Sequence, residues 1–396
     1  MAPALRFSLL LAFATFAAAC SGDDDKQLFT SSGTGTGTGA GGGGTGGAGG
    51  AGGCPEGYAD CDGDPINGCE IQTTADQVNC GGCGAVCLEG SCASGDCVGI
   101  TLLAAEQGAP NFLAVDEQNL YWTTVVDEVT GAGAVRQMGK HGGAVLDLAT
   151  EQRLPFAMVV DASTVRWTSL NDAGIHQVPI GGGATTTLVE DTEVGANYSL
   201  AIGAQSIYWT RTRNNDPATS GVVRAPLAGG DPTLIVADQQ RPYSLAVDAE
   251  ALYWTDRDAG MVLKAPLAGG APEPLAEAQM DPFSIALQGD YVYWTNNGCA
   301  GMAECVMRAR KDGSTPAEAI AGGQSGPYGL AVDDTHVYWT ASGTATVMRA
   351  PIEGGEEPQK LAEAQPTPLR MAIDDTYVYW STEGNGQTGD IRKLHK

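Results

Sequence analysis

The seven tryptophans of this chain stand at Trp122, Trp167, Trp209, Trp254, Trp294, Trp339 and Trp380, at successive spacings of 45, 42, 45, 40, 45 and 41 residues. Self-similarity at such a period marks stacked supersecondary units, none of which can bury its apolar face alone. One unit reads Pro242-Tyr-Ser-Leu-Ala-Val-Asp248, Ala251-Leu-Tyr-Trp-Thr255, Met261-Val-Leu-Lys-Ala-Pro-Leu267, a turn at Gly269-Gly270, then Pro274-Leu-Ala-Glu-Ala-Gln279. Four short runs separated by turn residues predict four strands. Helical solenoids share this period, but Gly and Pro interrupt the pattern about every ten residues, and Tyr, Trp, Thr and Val favour strands.

The predicted strands are apolar on both faces, as sheets covered by neighbours on either side must be. A radial stack of four-stranded sheets, a β-propeller, meets that requirement. The last repeat ends at Lys396 after its third strand, whereas the run from Ile100 to Gln107 resembles an outer strand and precedes the first repeat. Lending that run to the last blade closes the ring and removes two open edges. The expectation is an all-β, seven-bladed propeller over residues 98–396.

Tyr253-Trp254-Thr255-Asp256 resembles the YWTD motif of the propellers in low-density-lipoprotein receptors and related extracellular proteins. The resemblance implies that the motif lies on the second strand of a blade. Tyrosine recurs at Tyr121, Tyr208, Tyr293, Tyr338 and Tyr379 and is replaced by Arg166, while Ser381 is the one departure from threonine. The full motif occurs once, and seven blades exceed the six of the receptor relatives. The tryptophan is expected to wedge between blades, burying about 200 Å² of aromatic surface.

Eleven residues before each tryptophan stand Asn111, Phe156, Tyr198, Tyr243, Phe283, Tyr328 and Leu369, six of them preceded by proline. These positions open the innermost strands, on the same face as the loops between second and third strands. Phe156, Tyr198, Tyr243, Phe283 and Tyr328 are therefore candidates for an aromatic rim around the channel, with packing between repeats as the alternative role. Loops of varied length on a constant scaffold are where specificity resides. Arg211, Arg213 and Arg257 in those loops are candidate contacts to a peptide, protein or glycan.

The N-terminal quarter is organised differently. Arg6, the apolar stretch Phe7–Phe16 and Ala17, Ala18 and Ala19 precede Cys20. This resembles a bacterial lipoprotein signal (residues 1–19) with Cys20 as the lipidated residue, although Ala17 stands where leucine is usual. A non-lipoprotein signal peptide is the alternative. Ser21 rather than aspartate after Cys20 points to the outer membrane. Between Gly33 and Gly53, 14 of 21 residues are glycine, so residues 20–53 are expected to form a flexible tether with a span of roughly 30 Å.

Residues 54–97 hold eight cysteines and little apolar bulk, so disulfides are expected to replace a core. Zinc is the alternative, through the CxxC at Cys80 and Cys83, but a second CxxC is missing. The runs DCDGDPINGCE and NCGGCGAVC resemble short cysteine-rich modules of secreted and lipid-anchored proteins of myxobacteria and their relatives. Asp60, Asp62, Asp64 and Glu70 form an oxygen-rich pattern of the kind calcium uses, although Pro65 replaces the glycine an EF-hand loop needs; a solvated Asx-rich turn is the alternative. No other cofactor is expected. Cys299 and Cys305, the only cysteines of the repeat region, are expected to pair.

The net charge of −26 disfavours nucleic acid and anionic lipid head groups as partners. The leading expectation is an exported, lipid-anchored envelope protein whose propeller, a monomer, binds a peptide, protein or glycan. A propeller-scaffold hydrolase or lyase with a metal-assisted site at the channel mouth, and a passive envelope spacer, are the competing readings. The four histidines, His141, His176, His336 and His395, do not assemble a catalytic set from equivalent repeat positions.

Overall fold

A computed structural model describes residues 54–61, 69, 71–127, 132–170, 174–191, 195–213, 216–298, 304–383 and 388–396. Gly53–Lys396 form one compact unit. Seven antiparallel sheets form the propeller blades, six with four strands and one with five. Blade four shows the plan: innermost strand Pro242–Val247, second strand Ala251–Asp256, third strand Met261–Pro266 and outer strand Glu273–Ala276. The ring closes as expected. In blade seven the last strand of the chain, Ile391–His395, pairs with Thr101–Ala104, which supplies the missing outer strand.

Each blade contains the same irregularity. Pairing between innermost and second strands slips just after the strand entry, between Pro242 and Leu245 in blade four and at the equivalent place in the other six. Such a bulge re-aims side chains but leaves backbone groups without ladder partners. The hydroxyl residue after tryptophan supplies them, threonine in six blades and Ser381 in the seventh. Thr255 Oγ1 accepts from Ser244 N at 3.1 Å within its own blade and donates to Phe283 O of the next blade at 2.9 Å. Thr123 bridges Phe112 N and Phe156 O in the same way, and Thr340 bridges Gly329 N and Leu369 O. Ser381 retains the accepting half, from Arg370 N at 3.2 Å. One hydroxyl thus mends the bulge and joins two blades.

All seven tryptophans are fully buried. Trp254, Trp294 and Trp339 donate their indole N–H to Gln239, Gln279 and Gln324, each fifteen residues upstream. The residue before each of these glutamines, Asp238, Ala278 or Gly323, has positive φ, which swings the amide inward. The tyrosine before tryptophan has a separate task. Tyr121, Tyr338 and Tyr379 donate to Asp116, Asp333 and Asp374, the carboxylates that cap the turn into the second strand. Arg166 replaces tyrosine without loss of that link, because its guanidinium pairs with Asp161 at the same turn. Asp256, the last residue of the YWTD run, accepts from Gln240 N and Arg241 N and so holds the connection entering blade four.

Four disulfides staple the N-terminal module: Cys54–Cys69, Cys61–Cys83, Cys80–Cys92 and Cys87–Cys97. The module packs on the propeller. Val86–Cys87 adds a fifth strand to blade seven by pairing with Leu102 and Thr101. Cys83 O accepts from Gly143 N at 2.7 Å, and a Cβ on Gly82 would lie 2.2 Å from His141 O, which explains glycine there. These contacts lie on the face of the short turns, opposite the variable loops. Cys305 is also disulfide-bonded and buried, and the eight module cysteines are paired among themselves; its expected partner Cys299 lies outside the described residues.

Removing the Thr255 hydroxyl should leave Ser244 N–H and Phe283 C=O unpaired in a buried setting. Thr255→Val is expected to lower unfolding free energy by about 1–3 kcal/mol in urea titrations, whereas Thr255→Ser, the change found naturally at Ser381, should cost much less.

A second outcome concerns Lys393 beneath the module. Its ammonium lies over Tyr377 at 4.2 Å and donates to Lys140 O, and Tyr377 in turn donates to Asp96 of the module. Burial pushes Lys393 down from 10.5 to about 8 against the pull of Asp96 and Asp374. The unfolded chain therefore holds this proton more tightly than the folded one. Its penalty is fully present below about pH 8 and is relieved as pH rises from about 8 to 10.5. Between urea titrations at pH 7.5 and 10, the stability of the parent relative to Lys393→Met should rise by ~1.4 kcal/mol per unit of depression, a comparison that cancels the loss common to both from buried tyrosines such as Tyr121 and Tyr253, whose phenols are pushed up by burial.

Candidate functional site

The bulges turn the first side chains of the innermost strands toward the channel on the loop face. Phe112, Phe156, Tyr198, Tyr243, Phe283 and Tyr328 follow one another there, with successive centroid separations of 6.4, 5.9, 4.9, 4.5 and 4.4 Å. The five aromatic residues singled out from sequence are thus brought together. They pack as a crown across the channel, Phe156 and Tyr198 edge to face and the other neighbouring pairs tilted, with Phe156, Tyr243 and Phe283 buried and Tyr198 and Tyr328 half-buried. Blade one contributes Phe112, one position later than Asn111.

Blade seven has no ring to contribute. Its place is taken by Arg370, whose guanidinium carbon lies 5.2 Å from the centroid of Phe112, 5.6 Å from Phe156, 5.4 Å from Phe283 and 4.8 Å from Tyr328. Arg370 Nη2 donates to Tyr243 Oη at 3.2 Å. Burial of the Tyr328 phenol pushes it up to about 12, against the opposing effect of Arg370. Sequence reasoning missed Arg370. The available signal was its position: among the six residues that begin at Pro368 and at the equivalent position of the other innermost strands, it is the one charged side chain.

Arg257 stands beside the crown, 4.9 Å from the Tyr243 centroid and 4.7 Å from that of Phe283. It makes a two-pronged pair with Asp281, Nε to Oδ1 at 2.5 Å and Nη2 to Oδ2 at 2.6 Å, and Asn297 Nδ2 donates to the same carboxylate at 2.7 Å. Burial alone would lower Arg257, but Asp281 outweighs it and raises the guanidinium above its ordinary value. Burial would likewise raise Asp281, yet Arg257 and Asn297 hold its carboxyl below the usual range. The result is a half-buried charged clamp on an aromatic floor, with Asn297 exposed beside it. Such an arrangement offers stacking surface together with donors and acceptors.

Arg211 and Arg213 are placed differently. Both are buried around Asp191, with Arg211 Nη1 at 3.0 Å from Oδ2 and Arg213 Nη2 at 3.7 Å from Oδ1. They lock the connection entering blade three. Of the candidate calcium ligands, Asp60 is half-buried in the module, whereas Asp62, Asp64 and Glu70 lie outside the described residues, as does Cys20. Among the described residues no group of three His, Cys, Asp or Glu side chains is gathered as a metal site. His141 lies in a turn on the module side, His176 packs beside Trp167, His336 starts a second strand and His395 ends the last one; none joins the crown.

Comparison with known proteins bears on the fold. A streptogramin B lyase is similar at a TM-score of 0.62 and 12% identity, covering 75% of this chain and 97% of that one. An oligogalacturonate lyase in complex with manganese gives 0.57 and 11%, covering 82% and 96%. A computationally designed protein, Ika8, gives 0.53 and 13%, covering 74% and 98%. At these identities the likeness shows the shared propeller and nothing of the chemistry. No family model and no curated protein matches the sequence.

The placement of Arg211 gives a direct outcome. Arg211→Met should leave Asp191 buried with a weakened partner set and lower unfolding free energy by about 3 kcal/mol in urea titrations. A residue serving only as an exposed ligand contact would change stability by less than about 0.5 kcal/mol.

Proposed function

We propose that this chain is an exported, lipid-anchored recognition protein of a bacterial envelope, presenting the loop face of a monomeric propeller to a peptide, protein or glycan. The observation that carries the reading is the division of labour between faces. The disulfide module docks on the turn face at blades seven and one, while Arg257, Asp281 and Asn297 with the half-buried Tyr198 and Tyr328 stand on the opposite face. Charge, hydrogen-bonding groups and aromatic surface concentrated within one patch are what polar ligands need for orientation and affinity. Five disulfide-bonded sites, the four module bridges and Cys305, fit an oxidising compartment. No helix of the described residues is long and apolar enough to cross a membrane. Attachment in this reading rests on Cys20 and the glycine-rich tether, and its assignment to the outer membrane on Ser21. Calcium, if held by the module, would serve its acidic turn and not the loop face. The hydrolase or lyase reading draws on shared fold alone.

Two measurements test the reading. Cys20→Ser should move the protein from the membrane to the soluble fraction; complete retention on membranes would overturn lipid anchoring. Immobilised protein should retain a defined envelope peptide or glycan above a propeller control. Arg257→Ala and Asp281→Ala should each weaken that retention by about tenfold or more, and retention no greater than the control removes the recognition reading.

A further inference from the structure

Below the crown, toward the turn face, the innermost strands enclose a cavity of about 270 Å³ whose polar lining comprises Arg370, Ser199, Ser244 and Ser284. Arg370 is 7% exposed, and Nη2 to Tyr243 is the one hydrogen bond of its guanidinium among the described residues. Its Nε is buried with no partner. The surrounding rings offset part of the desolvation of this cation. They do so through the face of the guanidinium, whereas its N–H donors lie in the plane and still require acceptors. A buried charge without an opposite partner is among the costliest groups a fold can hold.

The serines add to the imbalance. Ser199 Oγ accepts from Leu245 N at 3.0 Å and Ser244 Oγ accepts from Ile285 N at 3.3 Å, so each oxygen is engaged while its hydrogen has no acceptor among the described residues. Ser284 is spent on Tyr328 O. No Asp, Glu or His lines the cavity, and its remaining walls are apolar, from Leu113, Met158, Leu245 and their neighbours. Unspent donors around one cation select an anion. A single positive charge favours a monoanion, and apolar walls favour one with a hydrocarbon body. The volume exceeds the ~150 Å³ in which an engineered apolar cavity holds benzene.

We infer that the channel cavity beneath Arg370 is a binding site for a small organic monocarboxylate, whose carboxylate meets the Arg370 guanidinium and the Ser199 and Ser244 hydroxyls. The site is separate from the loop face, because the crown lies between them. Recognition by the loops can therefore fail while this assignment stands, and the reverse.

The probe is sodium benzoate, titrated calorimetrically into the full chain in chloride-free buffer, with neutral benzamide and with sodium chloride as comparisons. Benzoate is expected to saturate one site, with benzamide weaker by about tenfold or more. Arg370→Met should weaken benzoate to a similar extent while circular dichroism and the unfolding midpoint show an intact propeller. If that variant does not fold, Ser199→Ala combined with Ser244→Ala decides, and a several-fold loss of benzoate affinity is expected. Equal binding of benzoate and benzamide, or unchanged affinity in the folded variant, overturns the proposal. Binding of chloride but not benzoate overturns the carboxylate assignment.

Discussion

The structure depends on what a threonine hydroxyl does at a bulge. A propeller blade must bring its innermost strand to the channel at a steep angle, and the slip in register that achieves this strands an N–H and a C=O in a buried place. Thr255 and its counterparts satisfy both groups with one oxygen, the N–H in their own blade and the C=O in the next. Local irregularity and ring closure therefore become a single interaction repeated around the axis. In blades one to six the stitch reaches forward to the following blade, which is the nearest-neighbour coupling expected of repeat architectures.

The tryptophans act above this scheme as fillers and the tyrosines as ties. Each indole occupies the space between sheets, and in blades four to six a glutamine from the preceding connection satisfies its N–H. In blades seven and one the corresponding glutamines, Gln365 and Gln107, instead accept from Arg392 and Arg136. Those are the two blades against which the disulfide module packs. Blades four to six keep the most regular pattern, while the indoles of the other four blades have no hydrogen-bond partner among the described residues.

At the axis the same repetition creates an electrostatic problem. Six rings converge there, and an arginine takes the seventh place, held by ring faces and by one phenol oxygen. Arg257 contacts the crown as well, but with Asp281 as a two-pronged counter-ion. The contrast is between a cation paired with a carboxylate at the rim and one at the centre whose guanidinium meets only ring faces and a phenol oxygen.

Much of the fold was legible in the chain because period, turn residues and β-forming runs act locally and were repeated seven times. Trp spacing determined the number of blades, and the third-strand ending at Lys396 together with the run after Ile100 determined how the ring closes. The aromatic series eleven residues before each tryptophan also located the crown. What the sequence could not decide was which side chains meet. Arg211 and Arg213 read as exposed loop charges, yet folding buries both around Asp191, some twenty residues upstream. Arg370 lies 127 residues from Tyr243, and only closure of the ring sets its guanidinium against rings from five other blades. The docking of the module was equally invisible, since it rests on backbone groups such as Cys83 O and Gly143 N that carry no side-chain signature. Periodicity determined the scaffold of this protein, whereas tertiary structure decided its charges, because the energy of a charge depends on the groups that surround it in space.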